Sequence, residues 1–250
     1  QDYKDSSNNT VWNSTLAGTT YYNRIGFIGQ DDLSGYRKAT SAILENANQI
    51  LSIKNPTDLE DLEFAAVGDN NSQKATPTSS NSPTAFAQRL SRSWMWQTAG
   101  GDGVGAVDLA FDLTKQTALP SNGAPSTYKL LLDSDDDFTV GATISNLVPT
   151  VSAGVVTFAG VSQASLPTGT RIAIGQPGAA LTYSATTWVE SAANNGTLDT
   201  TTPVTITLSN DTFTASVVNG TNMTSGTHFT TTNLPAGLTL NLRKDSSTQV

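Results

Sequence analysis

Apolar and polar positions alternate with a period of two over much of this chain. Val104, Ala106 or Val107, Leu109, Phe111 and Leu113 alternate with small or polar residues, the pattern of a strand with one buried face. Tyr128 to Leu132 is almost continuously apolar, which predicts a central strand covered on both sides. These two segments, the RLSRSWMWQT stretch before them and the DSDDDF run after them form a spine from Arg89 to Phe138. Further strands are predicted around Val11-Trp12 and over Arg24–Gly29, Leu62–Gly68, Gly154–Val161 and Thr170–Gly175. Tyr36 to Ile53 is mixed. Ala39, Ala42, Ile43, Ala47 and Ile50 have partial helical spacing, but the reading is strand or irregular structure for 36–46 and strand for 48–54. Gln73 to Thr84, with two prolines and few apolar residues, is read as an exposed loop. Turn signals such as Gly68-Asp69-Asn70-Asn71 and Ala99-Gly100-Gly101-Asp102-Gly103 recur about every 8–15 residues, the rhythm of an all-β sandwich.

Gln176-Pro177-Gly178 marks a boundary. Beyond it alternation returns at Val204-Ile206-Leu208, Phe213-Ala215-Val217 and Leu238-Leu240-Leu242, with turns at Asn219-Gly220, Ser225-Gly226 and Pro235-Ala236-Gly237. The expected organisation is a β-sandwich domain over 1–176, a linker over 177–190 and a partial second β module over 191–250.

The chain has 250 residues, enough for one large domain or two ordinary ones. Only 14% are charged, and Thr, Ser, Asn and Gly dominate the polar fraction. Such a surface suits strands and turns better than long exposed helices, which carry Glu and Lys. The net charge of −8 argues against nucleic acid as a partner, because phosphate binding needs clustered Lys and Arg. It also disfavours an anionic membrane surface. Without cysteine, disulfides and thiolate metal sites are excluded. No run approaches the ~20 apolar residues of a membrane span, so no membrane insertion is expected. Gln1-Asp2-Tyr3-Lys4 has no apolar leader, from which either a removed signal peptide or a piece of a longer protein is expected.

The densest candidate chemistry is Asp133-Ser134-Asp135-Asp136-Asp137. Asp133, Asp135 and Asp137 have the spacing that opens an EF-hand loop, and calcium takes six to eight oxygen ligands of this kind. The sixth position is Phe138 rather than glycine, and the twelfth is Ile144 rather than glutamate. The alternative is a solvated acidic turn. The same bland reading holds for Asp31/Asp32 and Asp58/Glu60/Asp61. Trp94 and Trp96 share one face of a strand and are expected in the core. Trp12, Tyr21, Tyr22 and Trp188 stand among polar residues and are better candidates for exposure, although most of them are expected to be packed. His228, the single histidine, has no G-x-S-x-G partner and reads as structural. With four glutamates and no distinctive carboxylate spacing, no catalytic residue is assigned, no cofactor is required and an enzyme is not expected. N-x-S/T triplets at Asn13, Asn195, Asn210, Asn219 and Asn222 are coincidental in a bacterial chain and glycan acceptors in a eukaryotic secreted one.

The motifs DYKDSSNNTVWNS, NRIGFIGQDDLSGYRK, RLSRSWMWQT with GAVDLAFDL, YKLLLDSDDDF and GVVTFAGV occur in that order over residues 2–176. Together they resemble an uncharacterised β-rich domain of large bacterial cell-surface proteins, often found after a concanavalin-like lectin domain. His228-Phe229-Thr230 and Asn233-Leu234-Pro235-Ala236-Gly237-Leu238 resemble the start of an Ig-like repeat of bacterial adhesins. The resemblances imply an extracellular, cell-surface location, a structural or adhesive role, and no catalytic residues. Residues 191–250 offer about four strands where an Ig-like sandwich has about seven. Completion of that module by sequence outside the chain or by a neighbour's strand is expected. The expected partners are other copies or domains of the same surface protein and a glycan or host-surface ligand. A carbohydrate-binding module, calcium-assisted through the acidic turn, and a filament subunit completed by strand exchange are the alternatives.

Overall fold

The computed structural model describes residues 1–41, 49–72, 77–187, 201–234 and 236–250. Trp188, Asn195, Pro235, part of the mixed segment before Ile53 and the start of the loop at Gln73 lie outside the described residues. The chain divides into two compact units, Gln1–Pro177 and Gly178–Val250.

The first unit opens with β1 (Tyr3–Lys4), β2 (Thr10–Trp12) and one turn of helix, α1 (Ser14–Ala17). There follow β3 (Asn23–Asp31), β4 (Tyr36–Lys38), β5 (Leu51–Lys54), β6 (Phe64–Asp69), β7 (Pro77–Thr78) and β8 (Phe86–Leu90). The spine supplies β9 (Trp94–Ala99), β10 (Val107–Asp112) and β11 (Lys129–Asp133). Then come β12 (Thr143–Ile144), β13 (Thr150–Ser152), β14 (Val155–Val161) and β15 (Arg171–Pro177). The fold is all-β. One antiparallel sheet has the order β12-β11-β15-β9-β6-β3-β4, with β8 also on β15 and β7 on β8. The other has the order β13-β14-β10-β5.

The two sheets face each other across one core. Trp94, Trp96, Leu130, Ile172 and Ile174 meet Leu51, Ile53, Leu109, Phe111, Val156 and Phe158 there. Trp94 and Trp96 share that inward face, two residues apart on β9. The larger sheet is also covered behind. Met95 and Ala66 pack under Trp12, Ala17 and Tyr21, while Leu131 and Ala173 pack with Phe86 and Phe138. Burial on both faces explains why β6 and β11 read as continuous apolar runs.

Trp12 and Tyr21, the better candidates for exposure among the aromatics, are therefore buried, at 0% and 3% exposure. Their layer is a two-stranded ribbon, with strands of two and three residues, and one helical turn, too short to show periodicity. It is fastened by Gln97, whose amide accepts from the Asn13 N–H at 2.8 Å and donates to the Asn13 carbonyl. Asn13 also caps α1 through the Leu16 N–H at 2.9 Å. Gly68 lets the layer come close. A Cβ there would sit 2.2 Å from the Tyr21 carbonyl oxygen and 2.8 Å from the Trp12 ring.

In the second unit β16 (Ala180–Tyr183) pairs antiparallel with β17 (Ile206–Ser209), and β18 (Thr221–Asn222) with β19 (Arg243–Lys244). β17 also bonds the last residues, Ile206 exchanging both backbone bonds with Val250 at 2.7 and 3.0 Å. Phe213–Val217 and Leu238–Leu242, read as strands from alternation, are not strands. The reason for the first is Lys244, buried at 4% exposure, whose ammonium donates to the carbonyls of Thr214 (2.8 Å) and Val217 (3.0 Å). Two carbonyls three residues apart converge on one cation only if the backbone curls.

Candidate functional site

The acidic run closes β11 as a chain of side-chain-to-backbone turns. Asp133 is buried, and its Oδ1 accepts the N–H groups of Asp135 (2.7 Å) and Asp136 (3.1 Å). Asp135 accepts from the Asp137 N–H at 2.9 Å, and Asp137 accepts from the N–H and hydroxyl of Thr139. The three residues with calcium-like spacing thus each cap backbone a few residues ahead, the usual habit of Asp in turns. Among the described residues no group of three or more His, Cys, Asp or Glu is placed to hold a metal ion. Burial raises the pKa of Asp133, whereas the Asp137 N–H lowers that of Asp135.

The carboxylate that reaches Ser93, just before β9, is that of half-buried Asp136. Its left-handed backbone, φ 77°, turns the chain there. Ser93 donates to Asp136 Oδ1 at 3.0 Å. Having spent its one proton, the Ser93 hydroxyl accepts from Tyr21 (3.0 Å) and from Asn70 Nδ2 (2.9 Å). Burial pushes the Tyr21 phenol well above its usual range. Arg171 lies over the Tyr21 ring at 4.9 Å and Arg89 over Phe138 at 4.5 Å. The network anchors the acidic turn to the back of the larger sheet.

A second buried carboxyl belongs to Glu63, at 2% exposure before β6. Its Oε2 accepts the Glu60 N–H at 2.9 Å. Burial raises its pKa above the ordinary 4.5, helped by the neighbouring Asp102 and Asp58 carboxyls. A raised acid binds its proton more tightly when folded, so its share of stability is lost as pH rises through the native pKa. Glu63→Gln keeps an acceptor for Glu60 and adds a donor towards Asp102. We expect it to raise the melting temperature at pH 7 by about 2 °C, with the gain vanishing below pH ~4. Paired thermal melts at both pH values check this.

A cleft of about 400 Å³ opens on the first unit, between Tyr3 and Lys4 of β1 and Tyr36 of β4, with Phe27, Phe64 and Asp31 among its lining. Asp31 is buried and fastens the β1–β2 ribbon to β3. Its carboxylate accepts from the Ser6 hydroxyl (2.6 Å), the Ser6 N–H (2.9 Å) and the Ser34 N–H (3.1 Å). These bonds, the Ser6 hydroxyl foremost, hold its pKa down to about 2 against an ordinary 3.8. Stability from a depressed acid is present above the unfolded pKa and lost as pH falls through the folded one. Protection of the Ser6 amide from hydrogen exchange is therefore expected to fall between about pH 4 and pH 2. Retention of full protection at pH 2 would show that the ribbon is held otherwise. Neighbouring Asp32 is exposed and accepts from Gln30 Nε2 at 2.8 Å.

In the second unit an apolar cleft of about 650 Å³ is lined by Tyr183, Val204, Ile206, Leu238, Leu240 and Leu242. His228 is half-buried, and its Nδ1 accepts the Thr224 N–H at 2.9 Å, a local turn contact. Of the side chains picked out in sequence, Asp133, Asp135 and Asp137 share one turn without converging, while Asp136 and the Tyr3–Tyr36 cleft were missed. Nothing in spacing marks Asp136 over its neighbours. Tyr3 and Tyr36 are 33 positions apart and meet only because β1 folds back near the β3–β4 hairpin.

No curated protein matches the chain, and no solved structure does. A family model described as a domain of unknown function, DUF8202, matches residues 1–170. That segment is 170 of the 250 residues and spans the whole sandwich except β15. The chain belongs to the DUF8202 family of domains of unknown function.

Proposed function

We propose that this chain is a non-catalytic structural and adhesive segment of a large secreted bacterial cell-surface protein. The observation that carries the reading is how the buried and half-buried ionisable groups are employed. Asp31 ties the β1–β2 ribbon to the sheet. Asp69 holds Arg24 in the irregular start of β3. Arg92 donates to the Ser72 carbonyl at 2.7 Å, and Asp136 binds the acidic turn to Ser93. Each fastens a loop or edge to a sheet, as a scaffold requires. The resemblance of residues 2–176 to domains of bacterial surface proteins and the weakly charged Thr/Ser/Asn surface support the location. Antibodies raised against the chain are expected to label intact, unpermeabilised cells of its source, and external protease to abolish the labelling. Labelling only after permeabilisation would refute the proposal.

A second reading, a subunit completed by strand exchange, has one observation in favour. Among the described residues β16 bonds a strand on one side, beside the apolar cleft of the second unit. Light scattering that shows a monomer at all concentrations would remove it.

A further inference from the structure

The first unit buries Trp12, Trp94 and Trp96 yet leaves Tyr3 51% and Tyr36 37% exposed at one cleft. Both rings are braced from behind. Tyr3 meets Phe27 edge-on, with centroids 5.2 Å apart and planes at 62°, and Tyr36 stacks on Phe64 at 6.1 Å and 26°. Such bracing fixes the rings without burying them. The cleft's volume of about 400 Å³ falls in the range of small-molecule sites.

Its charged groups are already occupied by the protein. Asp31 accepts three hydrogen bonds from Ser6 and Ser34. Asp5 accepts from the N–H groups of Ser7 (2.9 Å) and Asn9 (2.8 Å) and from Asn9 Nδ2 (2.8 Å). Lys4 donates to Asn8 at 3.1 Å. A sugar, which needs unsatisfied donors and acceptors, finds few here. A cation without N–H groups needs none. It gains from π faces and from negative potential, and the lining holds two carboxylates against one ammonium.

We propose that this cleft binds a small quaternary ammonium group, of the kind borne by choline. The probe is choline chloride, titrated into the full chain and followed by NMR, with 3,3-dimethylbutan-1-ol as the neutral isostere. Choline is expected to saturate shifts of Tyr3, Phe27, Tyr36 and Phe64 with a Kd on the order of 1–10 mM. It should bind at least ~5-fold more tightly than the isostere, and Tyr36→Ala should weaken it by about the same factor. If that variant does not fold, Tyr3→Leu, at a half-exposed position, should give the same loss. Equal binding of choline and isostere would overturn the proposal, as would no saturation by choline. A methyl glycoside shifting the same residues in choline's place would also overturn it and assign the cleft to sugars. Cosedimentation with phosphatidylcholine vesicles, competed by free choline, would support the proposal with a lipid headgroup as source. Choline binding without cosedimentation would support it with a soluble one.

Discussion

Phe111→Ala is expected to destabilise the first unit by about 3–5 kcal/mol. Phe111 is fully buried on β10, at the centre of the space between the sheets. Its ring meets Trp94 of the larger sheet edge-on at 5.6 Å and Phe158 of its own sheet at 6.0 Å. Truncation removes the ring's transfer free energy and leaves a void walled by strands tied into two ladders, which cannot collapse freely. Each edge-to-face contact adds about 0.5–1.5 kcal/mol. In a domain of this size the loss lowers the melting temperature by about 10 °C or more. Near-ultraviolet circular dichroism should follow it, because Trp94 loses its fixed neighbour. A loss below about 1 kcal/mol would mean that the two sheets do not share a close-packed core.

Asp69→Ala should cost a similar amount, about 3–5 kcal/mol, for an electrostatic reason. Asp69 ends β6 with its side chain 2% exposed. Arg24 grips it with two nitrogens, Nε at 2.6 Å, and Arg92 Nε lies 4.0 Å away. The same carboxylate accepts the Asn71 N–H at 2.8 Å. Arg24 has φ 44° where the β3–β6 register shifts, so the pair holds an irregular backbone as well as a charge. Removing the carboxylate leaves two largely buried guanidinium groups without it, and burial of an unpaired charge is the expensive outcome. The double variant Arg24→Ala/Asp69→Ala should be less damaged than the sum of the single ones. Chemical denaturation of the four proteins in that cycle gives the coupling. Additive losses would show that the two groups do not sense each other.

These two sites mark the limits of reading the sequence. The alternation around Phe111 made β10 legible, because one strand face repeats every second residue, and the two-residue spacing of Trp94 and Trp96 with the bulk of their rings placed them in the core. The layer behind the larger sheet was not legible. Trp12 and Tyr21 sit among Asn, Ser and Thr that face solvent, and their burial depends on Gly68 and Gln97, dozens of residues away. The acidic run was legible as a turn at a strand end. Its internal roles were not, since the left-handed backbone at Asp136 decides which carboxylate faces Ser93. In the second unit alternation misled at Phe213–Val217, where one buried lysine overrides the strand pattern.

The position of β15 bears on how the first unit is made. It is the last of that unit's strands to leave the ribosome, yet it lies between β11 and β9. Until Arg171–Pro177 emerge, β12-β11 and β9-β6-β3-β4 are separate ribbons, each with a bare edge. Vectorial synthesis therefore cannot lay this sheet down strand by strand. Closure comes late and at once, and a nascent chain halted at Thr170 should remain open to protease along its length.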